Sequence, residues 1–345
     1  MRIDGSTSTM RFLLPIFLAA ACAQSSPGLK GTLIVLNKAE ATASIVNLKD
    51  GKELKRIKTG LGPNEVMVSP SGKVAVISNM GNQTPDKTLT VVALPSGEIT
   101  KTIDLDKHGR PHGIAWLSED RILMTSHATD SLVTVNIKDG KIEKDIPTGQ
   151  KGTHMVVLSP DKKRAYASNA MSGSVSVADL ETQKVIATIP TGARAEGIAI
   201  SPDGKTITCG NVGGNTVSVI DTATLKVTKT LENTMAPIRT IWTKDGKWVL
   251  TSCAGSGELA VHDPKDWSEK KRIKLGEQKI KFELKGQPHP IPMNYAVHED
   301  GKHMFVVMVA SNAVAIVDLE KLEVVGKIDT GEVPDGIALS TVEIG

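Results

Sequence analysis

From Thr32 onward the chain alternates short apolar stretches with clusters of Gly, Pro, Asn, Asp and Ser, a pattern of strands joined by tight turns. The clearest stretch runs from Thr191 to Leu231. There AEGIAI leads into the turn SPDG (201–204), TITCGN follows, NTVSVID comes next, and the turn at 223–226, ATLK, leads into a last strand. Four strands therefore fall in a unit of about 42 residues, and self-similarity at such a period marks a repeat architecture.

The turn recurs as SPSG at Ser69, SED at Ser118, SPDK at Ser159, KDG at Lys244, EDG at Glu299 and a truncated ALS at Ala338, which with Ser201 makes seven starts. A Thr-Gly or similar step precedes most of them, at Gly60, Gly149, Gly192, Gly276 and Gly331. The last start has almost no chain after it, whereas TLIVLN, ASIVNL and ELKRIK near the other end lack a first strand. The run from Gly336 is expected to supply the inner strand of the blade whose other three strands lie between Thr32 and Lys58. The prediction is an all-β, seven-bladed β-propeller over 32–345, closed on itself so that few strand edges are left open.

Composition agrees. Gly is high at 31 of 345 residues and aromatics make up 3% of the chain, so platforms for stacked bases are scarce. The net charge of +3 is spread along the sequence and gives no footprint for nucleic acid. A closed ring of this kind is expected to be a monomer.

Residues 1–23 read as an export signal: Met10 and Arg11 precede the apolar run from Phe12 to Ala21, and the polar stretch before Met10 suggests that Met10 is the start. Residues 24–31 would be a short linker. Two cleavage readings stand, an ordinary signal peptidase site at Ala21-Cys22-Ala23 and a lipoprotein box that would attach lipid to Cys22 and anchor the protein to a membrane. The periplasm or a membrane surface is the expected location. Cys209 and Cys253 remain in the mature part and are expected as buried free thiols.

SPDGK at Ser201 to Lys205, the Tyr166–Asn169 step and NTVSVIDTAT at Asn215 to Thr224 resemble the YVTN-type, YncE-like propeller repeat over essentially the whole mature chain. The resemblance implies the fold and export. It does not fix function, because such propellers include exported lipoproteins, DNA- or partner-binding rings and relatives of the haem d1 domain of nitrite reductase.

Counting back from each turn, Asn64, His112, His154, Glu196, Ile238, Met293 and Asp335 share one slot at the start of the inner strands. A second slot, at the end of the second strand, is read as Asn37, Asn79, His127, Asn169, Asn211, Cys253 and Met308, with Asn capping its own turn. Both slots fall at one mouth of the channel. The two longest insertions lie there too, Met80 to Lys87 and Glu277 to Pro292, while the opposite face carries only short turns.

Arg110, Lys151, Arg194 and Arg239 would form an electropositive rim suited to a small anionic ligand. His112, His154 and Glu196 could hold a divalent metal, with His289 or His127 as acid or base in a lyase, lactonase or hydrolase. The ring histidines also resemble the distal pair over a d1-type haem, with Arg110 and Arg194 for its carboxylates, although the chain has no Cys-x-x-Cys-His of its own. His262, His298 and His303 are expected at the surface, and Trp116 and Trp242 in packing between blades. No nucleophile elbow, phosphate loop or paired Cys-x-x-Cys motif is present. The leading reading is a non-catalytic propeller that binds an acidic small ligand or a protein partner at the insertion-bearing mouth.

Overall fold

A computed structural model describes residues 28–232, 234–276 and 290–344. The described chain opens with β1 (Thr32–Asn37), β2 (Thr42–Asn47) and β3 (Lys52–Lys58). Six full units follow: β4 (Pro63–Val68), β5 (Val74–Gly81), β6 (Pro85–Ala93) and β7 (Glu98–Asp104), then β8 (Pro111–Trp116), β9 (Arg121–Ser126), β10 (Ser131–Asn136) and β11 (Ile142–Pro147). Next come β12 (Thr153–Leu158), β13 (Arg164–Asn169), β14 (Ser174–Asp179) and β15 (Lys184–Pro190), and β16 (Ala195–Ile200), β17 (Thr206–Asn211), β18 (Thr216–Asp221) and β19 (Lys226–Leu231). The last two units are β20 (Pro237–Trp242), β21 (Val249–Cys253), β22 (Glu258–His262) and β23 (Glu269–Lys274), and β24 (Pro292–Val297), β25 (His303–Met308), β26 (Ala313–Asp318) and β27 (Glu323–Asp329). Finally β28 (Pro334–Ser340) pairs with β1, and the sheet order β28-β1-β2-β3 makes a seventh four-stranded blade.

Burial follows position within the blade. Second and third strands are covered on both faces by neighbouring blades, so β9 and β10 read as nearly continuous apolar runs with small hydroxyl residues between. Outermost strands are largely solvated, and each of the seven buries one aliphatic: Ile57, Ile103, Ile146, Ile189, Leu231, Ile273 and Ile328. That single residue anchors an edge whose lysines discourage pairing with another chain.

Each inner strand begins in the same way. The residue just before it takes a left-handed conformation in six blades: Gly62, Arg110, Gly152, Arg194, Ala236 and Val333 have φ between 51° and 71°. Its carbonyl accepts a backbone bond from the residue that follows the second strand, as in His127 N to Arg110 O at 3.2 Å and Lys38 N to Val333 O at 3.1 Å. A bulge then breaks the ladder at the ring slot, for example between Pro63 and Glu65 and between Pro237 and Arg239. Bulges re-aim side chains, and here two successive residues per blade become available to the channel mouth.

The Asn slot is a clip between strands. Asn37, Asn79, Asn169 and Asn211 each donate from Nδ2 to a pair of hydroxyls on the next strand, as from Asn211 to Thr216 at 3.0 Å and Ser218 at 2.9 Å. The expected cap on the residue's own backbone turn is therefore replaced by a cross-strand bond. The clip also explains the Thr-Gly step, because a Cβ at Gly60, Gly192 or Gly331 would sit 2.6, 2.7 or 2.5 Å from the Asn side chain.

Further along the inner strands lies an apolar tier. Three positions past the slot stand Met67, Ala115, Val157, Ala199, Ile241, Ala296 and Ala338, none of them polar. Cys209 and Cys253 are free and buried, and burial pushes their thiols up to about 12 and about 11. His262 and His298 depart from the surface expectation: both are buried, and His298 Nε2 donates to the Lys30 carbonyl at 3.0 Å. Trp116 packs among Val76, Ile122 and Met124, as expected of a core residue between blades.

Candidate functional site

The ring slot does bring Asn64, His112, His154, Glu196 and Asp335 together, all of them buried. Around the mouth they form a chain of contacts. Lys38 Nζ meets Asp335 Oδ2 at 2.8 Å and also bonds Asn64 Oδ1. With its oxygen held by the ammonium, the Asn64 amide turns Nδ2 toward His112 Nε2 at 2.7 Å. His112 Nε2 accepts, so its proton sits on Nδ1, which has no hydrogen-bond partner and faces Glu65 Oε1 at 4.0 Å.

His112 and His154 rings lie 3.8 Å apart between centroids, and His127 lies 5.0 Å from His154 and 5.6 Å from His112. His154 Nε2 meets Glu196 Oε2 at 2.6 Å and its Nδ1 meets His127 Nε2 at 2.8 Å. Glu196 Oε1 in turn accepts from Arg194 Nε at 2.9 Å.

Burial holds the His112 imidazole well below its ordinary range, reinforced by His154, His127, Arg239 and Lys38. Burial, then His154, lowers His127 to about 4, against the pull of Glu196 and Asp130. Burial alone would push the Glu196 carboxyl up, but His154, Arg239 and Arg194 outweigh it and hold the acid ionised. Two neutral imidazoles and one firm carboxylate result.

One residue deeper, the bulge presents a second set. Arg239 Nη2 meets Glu65 Oε1 at 2.6 Å across the channel, and Asn294 Nδ2 donates to Glu65 Oε2 at 2.8 Å. Arg239 is 4% exposed and so belongs inside the channel, not on the rim where the sequence pattern put it. In the other blades the same position holds Met155 and three glycines, Gly113, Gly197 and Gly336, where a Cβ would lie 2.8, 2.3 and 2.5 Å from the backbone of the next inner strand. Glycine is required there for blades to approach at the axis.

Several expectations change. Ser126, not His127, fills the second-strand slot opposite Pro111, so His127 stands one residue further, at the position that Lys38 holds in the closing blade. The rim is less positive than its sequence suggests, because Lys151 Nζ pairs with Asp130 Oδ2 at 3.0 Å and Arg194 with Glu196. Arg110 is the exception: it donates to the Asn82 carbonyl at 3.2 Å and makes no ion pair among the described residues. That carbonyl comes from the Met80 to Lys87 insertion, which thus borders the mouth. His289, Cys22 and most of the Glu277 to Pro292 insertion lie outside the described residues.

The metal set His112, His154 and Glu196 is not assembled as ligands. No group of three or more His, Cys, Asp or Glu among the described residues could hold a metal ion, and both nitrogens of His154 and Nε2 of His112 are engaged by side chains. The same engagement occupies both nitrogens of His154 and leaves His112 only a buried Nδ1 beside Glu65, so this pair as placed fits neither a metal ion nor a d1-type haem iron. Lys38, Glu65 and Asn294 were missed in the sequence. Lys38 shares its register with His127, and Glu65 and Asn294 each follow a slot residue, as Arg239 does.

A seven-bladed ring with a buried polar collar at the end where its inner strands begin makes the molecule a β-propeller. Residues 111–248 match the family model described as YNCE-like beta-propeller, and the resemblance read from the repeats stands on that match. Among solved structures, a functionally unknown protein from Desulfotomaculum acetoxidans DSM 771 superposes with a TM-score of 0.74 at 14% identity, covering 90% of this chain and 99% of that one. Kuenenia stuttgartiensis hydrazine synthase gives 0.68 at 22% identity over 81% and 90% of the two chains. The dihydro-heme d1 dehydrogenase NirN in complex with DHE gives 0.66 at 13% identity over 89% and 74%. At these identities the likeness is one of fold. No curated protein matches the sequence.

Proposed function

We propose that the protein is an exported, non-catalytic binding propeller that takes a small anionic ligand at the collar end of its channel. Export rests on the apolar run from Phe12 to Ala21. The observation that carries the ligand reading is the neutral imidazole cluster of His112 and His127 set beside Arg110, a guanidinium with no carboxylate partner among the described residues. Neutral rings place no competing positive charge in the buried collar, and a guanidinium fork at its edge matches a carboxylate or phosphate in two parallel bonds. Arg194, whose side chain is 65% exposed while its Nε is tied to Glu196, would contribute from the other side of the histidines.

Calorimetric titration of the purified protein with short dicarboxylates and with inorganic phosphate tests this. Saturable binding that weakens with salt and falls by about tenfold or more in Arg110→Ala is expected, the loss of one charge-assisted contact. Absence of binding to every anion, or binding unchanged in both Arg110→Ala and Arg194→Ala, would overturn the reading.

A further inference from the structure

Beyond the collar the channel does not fill. A cavity of about 440 Å³ runs from Glu65, Arg239 and Asn294 toward the ends of the inner strands, where Val68, Trp242 and Leu339 lie. Its volume falls in the roughly 300–1,000 Å³ range of small-molecule pockets. Its wall is drawn from the apolar tier, with Met67, Val157 and Ile241, and from Met155 two positions before Val157. A water-filled bore would favour polar side chains at these repeat positions, yet all seven blades place an apolar residue there, and Met67 is left 40% exposed.

The charges at its inner end decide what it takes. Among the described residues, Glu65 and Arg239 are the only ionic residues in the wall, and they pair with each other, so these residues hold no surplus charge to balance an ionised ligand. Arg239 keeps one donor nitrogen without a partner: Nη2 is on Glu65 and Nη1 on the Ile238 carbonyl, whereas the buried Nε has none. An N–H in that state gains from an acceptor brought by a ligand.

We propose that this channel is a second binding site, distinct from the collar, for an uncharged, mainly apolar small molecule carrying one hydrogen-bond acceptor for the Arg239 guanidinium. The two methionines suit such a guest, since their flexible thioethers adapt to irregular shapes.

The full chain mixed with 1-N-phenylnaphthylamine, an uncharged dye that brightens in apolar surroundings, provides the test. Saturable brightening is expected, displaced by 2-acetylnaphthalene at several-fold lower concentration than by naphthalene, which lacks the acceptor. Met67→Glu, at a side chain exposed enough to tolerate the change, and Ala296→Phe, which fills the bore, should each weaken dye binding about tenfold or more with the melting transition retained. Arg110→Ala should leave it unchanged, so failure here and failure of the anion site are read separately. No saturable brightening, or equal brightening in both channel variants, would overturn the proposal, and equal displacement by the two naphthalenes would overturn the role of Arg239.

Discussion

The two ends of the channel are built from the same seven strands and differ in what a shift of three residues brings to the axis. At the collar, bulged backbone offers His112, His154, Glu196, Asp335, Glu65 and Arg239, and nearly every polar atom there is tied to another. Three residues on, regular strand offers only aliphatics and Met, with nothing to tie. The comparison teaches that polarity at a propeller axis is a collective property. A buried charge survives there only because a neighbouring blade supplies its complement, whereas an apolar tier needs no agreement between blades.

The sharpest way to break that contrast is to remove one partner. Arg239→Met leaves Glu65 buried with Asn294 bonded to it and His112 Nδ1 4.0 Å away but no cation, and should cost about 3–5 kcal/mol in urea unfolding, while adding Glu65→Gln should restore much of it. An unchanged midpoint in the single variant would mean that the collar does not depend on pairing.

Acid sharpens it next. His127 is held near 4 against an ordinary value of 6.5, so between those pH values the unfolded chain binds the extra proton. Stability should therefore be full above about pH 6.5 and decline as pH falls toward 4, by about 3 kcal/mol from this residue, with His112 acting in the same direction. Melting temperatures measured from pH 7 to 4 check the slope, which His127→Gln should flatten. A flat profile in the unaltered protein would put these imidazoles in solvent.

The smallest effect is expected at the rim. Arg194→Ala removes an ion pair whose cation is largely solvated and should cost less than about 1 kcal/mol, measured by the same urea titration. A loss as large as that of Arg239→Met would extend the buried collar outward to Arg194.

The fold was legible because its punctuation repeats. Ser-Pro-Asp-Gly turns and Thr-Gly steps are local signals, each tied to one backbone geometry, and seven starts correspond to seven inner strands. The slot residues followed from counting back from those turns, which is why His112, His154, Glu196, Asn64 and Asp335 meet as expected. What escaped was the bulge. A regular strand turns successive side chains to opposite faces, and on that rule Glu65 and Asn294 point away from the axis. Only the broken register admits both neighbours, and in the sequence it leaves no mark beyond the lone Arg239. His127 was displaced by one residue for a related reason: Ser126 fills the Asn slot without looking like Asn.

The left-handed residue before most inner strands has one more consequence. Because Gly62, Arg110, Gly152, Arg194, Ala236 and Val333 set the strand's entry through backbone geometry, the residue type in the slot after each is released from any duty in holding the frame. The collar then works as a text of seven characters, here N-H-H-E-I-M-D, written on a page that does not change with the wording. If the collar binds as proposed, two rings of this build can differ wholly in what they recognise while their frames superpose, and comparing those seven characters gives a first measure of whether they share a ligand.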